Sequence, residues 1–401
     1  MTMDGLTLFC LATGAVQMTS SALAIRRAWA TSHEAGPSIQ GQPPVSILRP
    51  ICGLENNLER TLESAFALDW PSPYEVVFCV ASETDPAISV ARRVIERNPH
   101  IPARILTGDD RVSVNPKLNN LVKGWKAARY PWIVMADSNV LMPRDYLARL
   151  FARWLPGTGM VCSPPVGSDP EGFWAEVECA WLNSYQARWQ LVADEIGLGF
   201  AQGKTMMLHR GLLDSHGGIE RLASEVAEDA ASTKIVRGEG LNVRLVEKPF
   251  PQPIGHRDWR GIWRRQLRWA RLRRDSFVLF FVPELLAGGL LPILAAGTAA
   301  ALGLWSPVTA AAYAIAWYSI ELALIRAYRW PLDRWTPLAL LARDIALPAL
   351  WFAAWFGNGF EWRGNAMSVA HPVEVSPARA RIRRAMDKTR EKARAIAAFR
   401  H

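Results

Sequence analysis

An uncharged stretch near the start of the chain constrains it most. Residues 5–25, GLTLFCLATGAVQMTSSALAI, carry no acidic or basic side chain, and a run of that length is about what a bilayer-crossing helix needs. Arg26 and Arg27 follow at once. No convincing cleavage site is present, so the stretch reads as an anchor and not as a removed signal peptide. The positive-inside rule then sets the N-terminus outside and Arg26 in the cytosol. A second apolar concentration runs from about Phe277 to Phe356, as stretches near 277–304, 308–325 and 337–356 interrupted by Arg326, Arg329 and Arg334. The expected organisation is an anchor over 1–27, a linker over 28–44 and a soluble cytosolic domain with interfacial helices over 45–275. Transmembrane or re-entrant helices over 276–357 and a basic tail over 358–401 complete it. Three crossings after a cytosolic domain would put that tail outside, against the positive-inside rule. Residues 337–356 are therefore either a third crossing or an interfacial or re-entrant segment with the tail cytosolic.

The net charge of +9 is concentrated beside the apolar stretches and in the tail, where Arg and Lys recur at helical spacing after Ser376. With no recognisable nucleic-acid-binding motif, that distribution points to an anionic membrane surface and away from nucleic acid. The five cysteines fall at irregular spacing without a CxxC or Cys/His cluster, which argues against zinc. Cys52, Cys79 and Cys162 read as buried thiols in a reducing compartment.

Between Val45 and about Leu155 the pattern alternates. VSILRP (45–50), EVVFCVA (75–81), ARILT (103–107) and WIVMA (132–136) read as strands, and the last, a continuous apolar run, as one buried on both faces. Helix-like stretches start near Asn56, Pro86, Lys117 and Arg144. Repeated β-α units predict an α/β fold with a mostly parallel sheet and helices on both faces. Ligands of such sheets bind beyond the carboxyl ends of the strands. Asp85 and Asp137 both stand there, on the same edge. Each has a structural alternative: Asp137 as the cap of the next turn, and Asp85 as a helix N-cap before Pro86.

Further on, Phe173, Trp174, Val177, Trp181 and Trp189 recur at roughly helical spacing, either as a membrane-interface signal or as an ordinary amphipathic helix on the sheet. Phe200 to Lys204 is a turn with a basic residue, Glu228-Asp229 lies in a helical context, and VRLVEKP (243–249) reads as another strand. Residues 257–275 interleave Arg with Trp.

Taken in order, Asp85, Asp137, Asp229 and Arg265-Gln266-Leu267-Arg268-Trp269 form a D, D, D, (Q/R)xxRW pattern. With Phe78-Cys79-Val80 before Asp85-Pro86-Ala87-Ile88, Val114-Asn115-Pro116-Lys117-Leu118-Asn119-Asn120-Leu121, Ala227-Glu228-Asp229 and Glu361-Trp362-Arg363, the chain resembles the ceramide glucosyltransferases over nearly its whole length. The resemblance implies a GT-A fold, the Rossmann-like nucleotide-diphospho-sugar transferase domain, carried on transmembrane helices. It implies an inverting hexosyltransferase that moves a sugar, glucose first among candidates, from a UDP-sugar donor to a membrane lipid acceptor such as ceramide. Diacylglycerol and hopanoid lipids are alternative acceptors, and a processive polysaccharide synthase is an alternative activity. A catalytically inactive membrane-associated binding protein is the reading from another class.

By the same resemblance, Asp137 binds Mg2+ or Mn2+, although this chain has Asp137-Ser138-Asn139 where relatives often carry D-x-D. Pro50, Asp85, Lys117, Asn119, Asp137 and Ser138 belong to the nucleotide-sugar side. Asp229 is the general base, with Glu228 its rival, and Arg265, Arg268 and Trp269 serve the diphosphate and the acceptor wall. The Arg/Trp stretch has an alternative as an interfacial anchor. Trp181, Tyr185, Gly203 and Lys204 are expected on the acceptor or membrane-facing side. Animal members read S-H-P-R where this chain has Ser184-Tyr185-Gln186-Ala187-Arg188. The expected location is a bacterial inner membrane, with the lipid bilayer as partner and the catalytic domain cytosolic.

Overall fold

The computed structural model describes residues 4–30, 41–362 and 365–368. Most of the linker and the basic tail after Ser376 lie outside the described residues. A long helix α1 (Gly5–Ala30) opens the chain. Then β1 (Val45–Pro50), α2 (Leu58–Glu63), β2 (Tyr74–Val80), α3 (Ala87–Arg97), β3 (Ala103–Thr107), α4 (Pro116–Ala127) and β4 (Trp132–Ala136) follow in the expected alternation. After α5 (Tyr146–Ala152) the pattern changes: β5 (Thr158–Ser163) and β6 (Val166–Glu171) precede α6 (Phe173–Ala180), a π-helical segment Trp181–Ala187, and α7 (Arg188–Glu195). Next come β7 (Thr205–His209), α8 (Arg210–Asp214), α9 (Glu228–Gly238), β8 (Asn242–Leu245), β9 (Pro251–His256) and the Arg-rich α10 (Trp259–Ser276).

Seven strands form one sheet in the order β3-β2-β1-β4-β7-β5-β8. Strands β1 to β4 are mutually parallel, as the alternation predicts, whereas β7 runs antiparallel to both β4 and β5. The sheet is therefore mixed. Its two faces explain the unbroken apolar runs: along β2, Val76, Phe78 and Val80 pack towards α2, α3 and α5, while Val77 and Cys79 pack towards α4, α8 and α9. A strand buried on both sides has no polar face to alternate with. Because β1, β2 and β4 share one direction, their carboxyl ends meet at a single edge, where Pro50, the 81–85 turn and Asp137 gather. A parallel pair β6–β9 forms a separate small sheet.

The C-terminal part contains α11 (Val278–Phe281), α12 (Leu290–Ala301), α13 (Pro307–Tyr328) and α14 (Thr336–Trp355), then an antiparallel hairpin of β10 (Gly359–Trp362) and β11 (Asn365–Ser368). Three helices, Gly5–Trp29, Pro307–Ala327 and Thr336–Trp355, are long and apolar enough to cross a membrane. Val278–Leu286 with Leu290–Ala301 forms a pair bent by 40° that would make one further span.

One expectation fails. Trp181 and Tyr185 face neither lipid nor cleft: they are 1% and 3% exposed, packed with α13 and α14 residues such as Leu324 and Leu340. The π-helical segment that carries them lies between the apolar helices and the small β6–β9 sheet, so these two aromatics are core residues. No disulfide joins the five cysteines, and Cys79 and Cys162 are fully buried.

Candidate active site

A cleft of about 660 Å³ opens at the carboxyl ends of β1 and β4. Pro50, Lys117, Asp137, Ser138, Gly203, Lys204, Asp229, Arg265, Arg268 and Trp269 all line it. The chain thus brings together side chains as far apart in sequence as Pro50 and Trp269.

Asp137 ends β4 and sits between two ammonium groups: Lys117 Nζ lies 2.7 Å from Oδ1 and Lys204 Nζ 2.9 Å from Oδ2. Lys204 Nζ also donates to Asn139 Oδ1 at 3.3 Å. Burial by itself would raise the Asp137 carboxyl; the two lysines outweigh it and hold the group well below the usual carboxylate range. At Lys117 the carboxylates of Asp137 and Glu228 overcome burial in turn and hold the ammonium protonated. Lys117 owes its position to a local signal, Asn115-Pro116: Asn115 caps α4, its Oδ1 accepting from Lys117 N at 2.9 Å, with Pro at the first helical position.

Glu228 and Asp229 are neighbours with different surroundings. Both Glu228 oxygens are engaged, Oε1 by Lys117 at 2.7 Å and Oε2 by Asn115 Nδ2 at 2.7 Å. Asp229 accepts only from backbone, from Gly203 N at 2.9 Å and Ala230 N at 2.8 Å. Burial and then the neighbouring Glu228 charge push its carboxyl up to about 6. Gly203 permits this crowding, since a Cβ there would stand 2.6 Å from Glu228 Oε1 and 2.8 Å from Lys117 Nζ.

Two expected residues stand behind the cleft wall. Asp85 accepts from Gly53 N and Ala87 N, both at 2.9 Å, so it caps α3 while tying down the turn after β1. Asn119 holds the loop before α4, its Oδ1 accepting from Val112 N and Ser113 N at 3.1 and 3.0 Å. On α10, Arg265 pairs with the buried Glu178 of α6, and Arg268 stacks over Trp362 of the hairpin at 5.5 Å. The RxxRW stretch faces the cleft, which weakens its alternative as a mere interfacial anchor.

Several contributors escape sequence reasoning. Arg49, fully buried, donates to the carbonyls of Asp137, Ser138 and Val140 at 3.0, 3.1 and 2.9 Å and so shapes the turn that carries Asp137. An Arg inside an apolar strand was the available signal. The hairpin supplies Phe360, Glu361, Trp362 and Met367 to the cleft wall. Arg271 and Arg274 fasten it by donating to the carbonyls of Phe356 and Ala354 at 2.8 and 2.5 Å.

A divalent cation is what the resemblance adds to this site. Among the described residues no three His, Cys, Asp or Glu side chains gather in ligand geometry. Mg2+, however, commonly takes one or two protein carboxylates and the rest of its oxygens from phosphate and water. Asp137 and Asn139 offer oxygens of that kind, which Lys117 and Lys204 hold in this structure and an ion would take over from them. In donor chemistry the residues fit the ion.

A mixed sheet with this strand order and a polar cleft at the carboxyl ends of its central strands is the GT-A fold of glycosyltransferases. The chain belongs to glycosyl transferase family 21, the family of the ceramide glucosyltransferases, whose model matches residues 6–374. It is 29% identical over 338 residues to ceramide glucosyltransferase 1 of Caenorhabditis elegans, covering 82% of this chain and 72% of that one. It is 44% identical over 117 residues to the ceramide glucosyltransferase of Komagataella phaffii, covering 28% of this chain and 22% of that one. Among solved structures, it resembles the mannosyltransferase PcManGT of Pyrobaculum calidifontis, in complex with GDP-Man and Mn2+. The TM-score is 0.48 at 21% identity, covering 87% of this chain and 97% of that one.

Proposed function

We propose that the protein transfers a hexose, glucose in the first instance, from a UDP-sugar to the hydroxyl of a membrane lipid such as ceramide, with inversion at the anomeric carbon. The observation that carries this reading is the pairing of two unlike carboxylates in one cleft. Asp137 is held ionised among cations, and Asp229, the same residue type, is pushed towards protonation by its burial. Environments that drive two carboxyls apart are a signature of divided acid–base roles.

In this scheme Asp229 accepts the proton of the lipid hydroxyl. The freed oxygen pair forms a bond to the anomeric carbon, and the bond from that carbon to the diphosphate oxygen breaks with its electrons passing to the leaving group. Glu228 is the poorer base because Lys117 and Asn115 occupy both its oxygens. Lys117, Lys204 and Arg268 lie where cationic groups offset charge growing on a departing diphosphate. Asp137 and Asn139 would hold Mg2+ or Mn2+, which when bound supplies Lewis-acid neutralisation of the diphosphate. Asp85 and Asn119 serve donor binding indirectly, by fixing the loops beside Pro50 and Lys117.

The test is a transfer assay on membranes containing the protein, offering labelled UDP-glucose with ceramide and with diacylglycerol, with and without Mn2+. A glycolipid formed by the native chain and lost in Asp229→Asn supports the reading and names the acceptor. Long soluble polymer as the product would replace it with a processive synthase.

A further inference from the structure

We infer that the acceptor lipid enters the active site sideways from the bilayer, through a portal whose lip is formed by Phe200 and Phe277. The inference rests on the proposed lipid acceptor and adds where its hydrocarbon lies.

The cleft that holds Asp229 does not end at the polar site. It continues along α10 past Leu272 and Ser276 to Phe200 and Phe277. The two rings are in contact, with centroids 6.4 Å apart and tilted by 44°, and together form an aromatic lip over which a chain would pass. Phe277 is the last residue before α11, so this end of the cleft lies where the soluble domain passes into the apolar helices. Just outside stands an uncovered apolar ridge. Leu279 is 84% exposed and Phe280 55%, and across the mouth Ile196 is 61% exposed on the loop that leads to Phe200. Water is a costly neighbour for such side chains, and a contiguous apolar patch beside a site marks a binding surface.

The rim has a different chemistry. Arg273 lines the cleft and pairs with Glu284 at 2.6 Å, and Lys234 stands 5.9 Å from the Phe277 ring. Charged groups at the rim with apolar groups outside match an amphiphile lying across a membrane interface, its polar end inward and its chains in hydrocarbon. A hydroxyl group reaching Asp229 from a lipid never has to leave the bilayer completely. Leu279 and Phe280 belong to the bent apolar pair 278–301, so the ridge faces hydrocarbon and this end of the cleft opens beside it. The occupant assigned to that end is the acyl or sphingoid chain of the acceptor.

Two measurements on the full-length protein in lipid nanodiscs test the portal. In the first, Phe200→Ala and Phe277→Ala are assayed with a long-chain acceptor and with its short-chain, water-soluble analogue, and UDP binding is followed by calorimetry. The expected result is a KM raised roughly tenfold for the long-chain acceptor, a smaller change for the short one, and unchanged UDP affinity, which also reports correct folding. In the second, the unmutated protein is irradiated with an acceptor carrying a diazirine in its chain, and labelled residues are mapped by mass spectrometry. Labels at 196–200 and 277–280 are expected. Equal KM changes for both acceptors, or labels confined elsewhere, would overturn the portal. Labelling needs no turnover, so a native protein that labels there but makes no glycolipid contradicts the proposed activity and leaves the portal standing.

Discussion

Asp229 is the residue on which the chemistry turns, and its environment makes its role measurable. Only the carboxylate form can take a proton, and burial beside Glu228 has moved its carboxyl from 3.8 to about 6. The sign follows: kcat/KM rises as pH increases through about 6 and levels off above it, whereas an unshifted Asp would put that limb near 4. A pH–rate profile with its acid limb near 4 would remove the argument. Asp229→Asn keeps one acceptor oxygen for the two backbone N–H groups and has no base, and is expected to lower turnover by about 10²–10⁴-fold with UDP affinity retained. Gly203→Ala tests the crowding from the other side. Its Cβ would fall 2.6 Å from Glu228 Oε1 and 2.8 Å from Lys117 Nζ, both already fixed in ion pairs. Overpacking of that kind costs about 1–3 kcal/mol, so a lowered melting temperature together with weakened UDP binding is expected. An unaltered melting temperature would show that the acidic pair has room to move.

Among the elements, the π-helical segment Trp181–Ala187 and the helices around it hold the catalytic domain to the apolar helices through buried charge. Arg343 of α14 donates to Glu321 of α13 at 2.9 Å and to Ser184 of the π segment at 2.8 Å, and it pairs with Asp344 at 2.7 Å. All three charged residues are at most 1% exposed. Removing one partner of such a set strands the others, so Arg343→Met is expected to destabilise by about 3–5 kcal/mol. Thermal unfolding in detergent checks this, and a change below the error of the measurement would mean that water reaches the cluster. None of this was legible from the Trp spacing of 173–189, because a helix wedged between two layers buries polar residues such as Glu178 and Arg188 along with its aromatic ones, and in sequence that mixture mimics an amphipathic interfacial helix. Strands β1 to β4 were legible for the opposite reason: continuous β-branched and aromatic runs ending in turn residues have few other fates. Strand β7, TMMLH, hid because Met is a good helix former with little strand preference, and with it the antiparallel turn of the sheet went unseen. At the site, Lys117, Asp137 and Asp229 stood out through their motifs. Arg49 and the hairpin did not, since their contributions depend on tertiary contact alone.

For the whole molecule, the question left open by the apolar pattern is which helices cross the bilayer, and packing answers it for α14. Along α1 the partners change in order: Thr7 accepts from Trp305 Nε1 at 2.8 Å, Gln17 donates to Glu321 at 3.1 Å, and Arg27 pairs with Asp194 at 2.7 Å. The turn between α12 and α13 therefore lies at the far end of α1 from the catalytic domain, and α13 returns towards it. Helix α14 behaves differently. Trp335 at its start packs on Phe173 of α6, with ring centroids 6.1 Å apart, and Ala354 at its end accepts from Arg274 of α10. It runs beside α10, whose own start lies near α6 through Trp174 and Trp259 at 5.3 Å. A crossing α14 would carry α10 into the hydrocarbon with it, and α10 holds seven arginines, each costing about 2.5 kcal/mol or more at the bilayer centre. Helix α14 is therefore predicted to lie at the interface. Three crossings, by α1, the bent pair 278–301 and α13, would then put the hairpin on the catalytic side, and the C-terminus with it, as the positive-inside rule expects. Protease sites inserted at the exposed turn Gly217-Gly218, in the loop at Gly303, and after His401 make this measurable in sealed vesicles of known orientation. The first and last should be cut from one face and the second from the other. Cleavage of the C-terminal site together with the one at Gly303 would mean that α14 crosses after all, and the packing against α10 would then need another explanation.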